Sequence, residues 1–353
     1  MSQSGCLAKP KNSVARARAA RAVSETAAPC RTTMALPEHL VTPCQTTYRS
    51  VGLGVYAVVV RYCTMPLEKV AMIANSSLVS SGKNQLGQAW RIATKEGLLA
   101  PYRTVGPASI TAWFLQYSVM GFVFQTVDAA LSVSLGTQRM PYGDQLMEPP
   151  APSSSFGIAT ACKAILAPIT AGTIESVVSN RAETQRFWGL GKSAAIERQL
   201  GWSALGRACG PAFVANSARN AVMSTTSFVA TPLLFLHAFP QEHKSHSSLF
   251  WFGLSVNIFA GNVVAITQQS LWGRVLNYVE EGGGRNANYR AIIGEAYRKE
   301  GLSAFFTPPK WFARVLMNAP IQGTLPWFYN DVLPLGEPAA LKLAGRAYAS
   351  VSS

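Results

Sequence analysis

Pro66 and Glu68, followed by Ala71, raise the first chemical question in this chain. A proline inside an apolar stretch bends a helix, and an acid two residues later can pair with a base on a neighbouring helix. Three positions after the acid stands Ala71, where such a motif would hold Lys or Arg. The chemistry is therefore an electrostatic clasp with one partner missing, and no bond-making step is involved. Other chemistry-bearing residues lead nowhere stronger. GLGVYA, from Gly52 to Ala57, has the glycines of a dinucleotide loop, but no strand precedes it and no acid follows about 20 residues later. Gly191, Lys192 and Ser193 match the tail of a phosphate loop, yet Arg186 occupies the leading glycine's position. His237, His243 and His246 crowd one segment; Pro240, Glu242 and Lys244 make it a polar connector, and no second ligand cluster completes a metal site. Cys6, Cys30, Cys44, Cys63, Cys162 and Cys209 show neither CxxC nor metal-like spacing and read as free thiols. No nucleophile pairs with a base, so the expectation is a non-enzyme without catalytic residues, metal or cofactor.

The elements that carry these residues are apolar. Of 353 residues, 14% are charged and 48% hydrophobic. Thr104–Val127, Asn220–Leu236, Ser247–Gly273 and Val315–Asn330 carry no charge at all. Val51–Thr64 carries Arg61 alone, and Ile158–Asn180 carries only Lys163 and Glu175. A membrane-spanning helix needs about 20 mostly apolar residues, so six spans are expected. A soluble bundle with buried helices is the competing reading, and uncharged runs of this length disfavour it. The net charge of +14 lies between the spans, as in loops facing an anionic leaflet. No basic run interleaves with aromatics, which excludes a nucleic-acid partner. Lys9, Lys11, Arg16, Arg18 and Arg21 make the amino-terminal segment basic, Ala-rich and free of acids, as mitochondrial targeting segments and basic tails both are.

A repeat organises the spans. KEGLLAPYRTVGP, RQLGWSALGRACGP and RKEGLSAFFTPPKW align on Gly97, Gly201 and Gly301, about a hundred residues apart. Arg103 and Arg207 follow in the first two copies, and Thr307 takes that place in the third. Pro107 and Pro211 close the first two markers. Each marker ends a short amphipathic stretch (Gln85–Lys95, Ser193–Leu200, Tyr289–Lys299) with a span on either side. Such a stretch beside a membrane lies in the interface. Small residues Gly52, Gly54, Gly172 and Gly261 sit where close helix packing in lipid would need them.

On the repeat spacing and on ARVLMNAP, from Ala313 to Pro320, the chain resembles the mitochondrial carrier family from Val51 to about Leu333. The resemblance implies an all-α membrane protein with six transmembrane helices, in three pseudo-repeats of helix, surface helix and helix around a central cavity. It divides the chain into a basic extension (1–50), repeat one (51–131), a connector (132–157), repeat two (158–237), a connector (238–248), repeat three (249–333) and a carboxy-terminal extension (334–353). The family's matrix-side gate implies roles for Pro66, Glu68, Glu183, Arg186 and Arg274, with Arg181, Ser270 and Trp272 replacing expected motif residues. Its cytosolic-side gate implies Phe124-Gln125, Phe228-Val229 and Tyr329-Asn330, with Asp128, Pro232 and Leu333 in the base slots. All three aromatics remain, and no acid or base is in register, so this gate is expected to lack an ionic latch.

Substrate-contact slots implied by the family fall at Thr111, Ala112, Ala215, Asn216, Met317 and Asn318, none ionised. Arg219 and Arg314 are the charges that could approach the cavity. Gly97, Arg103, Gly201, Arg207 and Gly301 are the implied lipid-binding positions, with bound cardiolipin. Two functions compete: an accessory, transport-impaired subunit of a larger inner-membrane complex, with other inner-membrane proteins as partners, and an active carrier of a small metabolite by alternating access. The uncharged slots and missing latches favour the first. The implied location is the mitochondrial inner membrane.

Overall fold

A computed structural model describes residues 36–74, 84–104, 107–150, 157–188, 190–201, 209–210, 212–282, 288–306, 311–312, 315 and 318–352. The basic segment before residue 36, Arg207, Arg314 and Met317 lie outside the described residues, as does the side chain of Arg186. No strand occurs among the described residues. In chain order the longer helices among the described residues are α1 (Glu38–Ala74), α2 (Gln85–Lys95), α3 (Pro107–Leu135), α4 (Ile158–Trp188), α5 (Leu190–Gln199), α6 (Phe213–Ala238), α7 (His246–Glu280), α8 (Tyr289–Glu300) and α9 (319–352). Glu38–Val70, Ser109–Leu135, Ile158–Gln185, Phe213–Ala238 and His246–Glu280 are five helices long and apolar enough to cross a membrane. The chain is thus an all-α, multi-pass membrane protein.

The surfaces of these helices show why they form where they do. Val51, Val55 and Val59 follow one another at one-turn spacing on an exposed face of α1, while Leu53, Tyr56 and Ala57 are buried. On α4, Ile165, Ile169, Ile174 and Val178 are likewise exposed while Ala164, Ala167, Ala171 and Glu175 are buried. An outward apolar face with polar groups turned inward is the arrangement lipid demands. Each long helix packs on the next in chain order, and α9 returns to α1. Tyr56 hydrogen-bonds the Ile321 carbonyl at 2.6 Å, and Tyr48 the Leu333 carbonyl at 3.1 Å, across that closing seam.

Three boundaries differ from the sequence expectation. Helix α1 begins at Glu38, so the last part of the 1–50 extension is the start of the first long helix. Leu333–Ser352 continues α9 as helix where a separate extension from residue 334 was expected. The connector's first residues, through Leu135, belong to α3. In each case an apolar helical register runs past the last residue of the uncharged core, which composition alone had taken as the edge.

The amphipathic stretches are helices α2, α5 and α8, and the aligned glycines end them. Gly97, Gly201 and Gly301 all adopt positive φ, at 87°, 55° and 61°. A residue with a Cβ resists that backbone, so glycine at these places stops the surface helix and turns the chain. Gly172 does something different: a Cβ there would lie 2.3 Å from the Ala221 nitrogen, so glycine sets how closely α4 and α6 approach. At Gly52, Gly54 and Gly261 the nearest obstacles to an added Cβ are side chains.

Candidate functional site

The described charges and aromatics gather in two places inside the bundle, a mouth and an interior cluster. At the mouth, Phe124 of α3, Phe228 of α6 and Tyr329 of α9 converge. Phe228 lies 4.9 Å from Phe124 in a stacked pair and 4.9 Å from Tyr329 edge to face. All three are buried, as are the neighbouring Gln125 and Asn330. Phe228 and Tyr329 each sit on a π-helical turn, Thr226–Ala230 and Phe328–Val332. An extra residue in the turn re-aims the side chains that follow, and such turns often mark functional sites. The three aromatics expected at a cytosolic-side gate therefore meet in one cluster. Gln125 and Asn330 donate to carbonyls one turn back on their own helices, at 3.3 and 2.9 Å, and do not bridge helices.

The expected absence of ionic latches at this mouth is overturned. Asp128 of α3 lies 3.3 Å from Lys163 of α4, with side-chain exposures of 4% and 1%. Lys163 also donates to Ser132 Oγ at 2.9 Å and to the Gln138 carbonyl. Arg49 of α1 holds Glu337 of α9 through two hydrogen bonds at 2.8 and 2.9 Å, and Gln45 adds a third at 2.7 Å. His246, at the start of α7, contacts Asp331 of α9. Asp128 stands in a base slot of the expected gate and Asp331 follows Asn330, but their partners Lys163 and His246, like Arg49 and Glu337, lie outside the motif register. The sequence did carry a signal: Lys163 is a charge in an otherwise apolar span, and such a residue needs a partner inside the bundle.

The connector after α3 crosses the same mouth. Met140 is buried, and its N–H donates to Asp128 at 3.2 Å. Arg139 reaches Asp128 at 3.5 Å and the Gln125 carbonyl at 3.2 Å. The Tyr142 ring meets Tyr329 at 5.0 Å and carries the Arg49 guanidinium 3.6 Å above its centre. Burial pushes the Tyr142 phenol well above its usual range, against the opposing pull of Arg49, so the ring stays neutral beneath that cation. Leu146 packs with Phe235 of α6 and Leu249 of α7. Residues 138–147 thus form a strap touching α1, α3, α4, α6, α7 and α9.

The interior cluster lies deeper. Arg219 of α6 is nine residues before Phe228, roughly 13 Å along the helix. It binds Glu183 of α4 at 2.7 Å, both largely buried, and donates to Asn220 Oδ1 at 3.1 Å. Asn220 donates to Ser176 Oγ at 2.9 Å and to Glu175, both on α4. Arg61 of α1 faces the Tyr117 and Trp113 rings of α3 at 5.7 and 6.0 Å. Asn216 is 1% exposed, and among the described residues neither of its amide atoms has a hydrogen-bond partner. An unpaired buried amide costs about 1–3 kcal/mol, which a ligand's polar groups could relieve.

The remaining sequence-derived positions divide. Ala215 is buried beside Asn216, Ala112 and Asn318 are half-buried, and Thr111 is exposed. Glu183 does clasp a neighbouring helix, whereas Arg274 turns to Glu300 at the end of α8, at 2.8 Å. Pro66 and Glu68 lie half-buried inside α1, and the adjacent Lys69 reaches Glu96 at 3.1 Å and the Gly97 carbonyl at 3.1 Å. Arg103 is exposed after α2. Cys44, Cys63, Cys162 and Cys209 are free thiols. Sequence reasoning missed Arg49, Glu337 and the roles of Lys163, Asp128 and Glu175. Comparisons with protein-family models, with curated proteins and with solved structures find no match to this chain.

Proposed function

We propose that the chain is a solute carrier of the mitochondrial-carrier type, with six crossings, in the mitochondrial inner membrane. The observation that carries this reading is the pairing of a sealed mouth with a charged interior. Buried ion pairs join α3 to α4 and α1 to α9 around an aromatic plug. Below them, Arg219, Glu183, Glu175 and an unpartnered Asn216 offer a polar binding place. A carrier needs both: a clasp that holds one end shut, and an interior whose interactions with solute offset the clasp's loss. With clasps present and the interior charged, the chief argument for a transport-impaired chain falls away. Arg49 of α1 meets Glu337 of α9, a contact that supports an even number of crossings with α9 as the sixth.

The strap favours a second reading, the accessory subunit. Every strap contact must break before this mouth opens, and a structural subunit never has to open it. Purified protein in liposomes distinguishes the two. Saturable exchange across a broad panel of metabolite solutes, lost in Arg219→Leu, supports the carrier. Absence of uptake, together with a stoichiometric companion retained in mild detergent, supports the accessory role.

A further inference from the structure

Glu175 is 1% exposed, in the middle of α4. Oε2 accepts from Asn220 and from Ser176 Oγ at 3.4 Å, and among the described residues Oε1 has no partner in hydrogen-bonding geometry, with the neutral side chains of Ser179 and Gln116 beside the carboxyl. Among the described residues no base forms an ion pair with it. The groups facing it are otherwise engaged. Arg219 of α6 is held by Glu183 of α4, and Arg61 of α1 lies against the rings of Trp113 and Tyr117 on α3. Gln116 of α3, beside it, is neutral. Toward the two ends of α4, Lys163 is paired with Asp128, and Arg181 with Glu197 of α5. An ionised carboxylate in an apolar interior without a contacting cation is strongly disfavoured, whereas the neutral acid leaves no charge unpaired. Ionisable groups so placed in membrane helices serve as proton relays.

We propose that Glu175 is a proton-binding site: it holds a proton in the closed arrangement described here and releases it during the carrier's cycle. Asn220 links the two halves of the exchange, donating to Glu175 and accepting from Arg219. When Arg219 leaves Glu183 for Glu175, the carboxyl O–H bond breaks and its proton passes to water at the opened mouth. The new carboxylate keeps the electron pair and takes the guanidinium as counter-ion, and Glu183 turns to water. One proton leaves and no net charge remains buried. Coupling to solute movement rests on the carrier reading; protonation of Glu175 does not.

Infrared difference spectroscopy tests this on the full chain in lipid nanodiscs, stepping from about pH 5 to about pH 9. The expected result is a protonated-carboxyl carbonyl band, lost on raising the pH, absent in Glu175→Gln and displaced in Glu175→Asp. A wild-type spectrum without that band, or one unchanged by either variant, overturns the proposal. Should Glu175→Gln fail to fold, the Asp variant decides alone: a displaced band supports the site and an unmoved one removes it. Solute uptake is then measured with and without an inward proton gradient. A band with no uptake for any solute sinks the carrier reading and leaves the proton site standing, and uptake without the band does the reverse.

Discussion

Lys163 carries an ammonium with no exposed surface in a span that faces lipid on its other side. Its charge is tolerable because Asp128, Ser132 and the Gln138 carbonyl surround it. Removing one member of such a pair strands the other charge, which typically costs about 3–5 kcal/mol. Lys163→Ala is therefore expected to destabilise by that amount, read as a large drop in melting temperature in detergent. Lys163→Met with Asp128→Leu removes both charges and is expected to recover most of the loss. If the single and double variants melt alike, the pair contributes nothing to stability. Arg49 differs in kind. Its planar fork grips Glu337 with two hydrogen bonds while its face lies on Tyr142. Lysine keeps the charge but has neither the fork nor the flat face. Arg49→Lys is thus expected to melt below wild type although net charge is unchanged, and an unaltered melt would show that charge alone suffices.

At the scale of elements, two glycines act through different physics. Gly172 holds α4 against the backbone of α6, so a larger side chain must push helix from helix. Gly172→Leu is expected to cost about 1–3 kcal/mol or more from overpacking, and to loosen the Arg219–Glu183 pair that bridges the same two helices. Gly301 has open space around it, but its φ of 61° and ψ of −145° belong to glycine alone. Gly301→Ala is expected to cost about 1–3 kcal/mol through backbone strain only. A thermal melt of each variant checks both, and equal tolerance of Gly172→Leu and wild type would contradict the close approach. Gly172 was legible in the sequence as a small residue in a span, and Gly97, Gly201 and Gly301 as a repeat. Nothing linear separated the glycine that admits a neighbouring helix from the glycines that turn the chain, because one answers to a contact across space and the others to their own φ.

For the molecule as a whole, the mouth is closed in layers: plug, ion pairs and strap. A cysteine at Phe228, with the native cysteines replaced by serine, is expected to be protected from aqueous thiol reagents. Adding Lys163→Ala frees one side of the seal and is expected to raise labelling, since a few kcal/mol shifts a two-state population by a factor of 10–100 or more. Rapid labelling without that change would mean that the mouth is open in the resting protein. Deletion of the strap is expected to raise labelling further, because it also removes Tyr142 from Tyr329.

Much was determined by the sequence alone. Long uncharged runs require burial in lipid, the spaced glycines mark three turns of one design, and the aromatics Phe124, Phe228 and Tyr329 stand in corresponding places. The first two follow from composition and period, which each stretch of chain carries by itself, and the third from the resemblance to the carrier family's motif. Which charges meet was decided only by the tertiary structure. Arg49 and Glu337 are separated by 288 positions along the chain, and Asp128, an acid in a slot where the motif would hold a base, finds its partner in Lys163, which no motif register includes. A charge pair needs only that two side chains share a buried place, and several turns of several helices can supply one; that freedom leaves no fixed spacing to read.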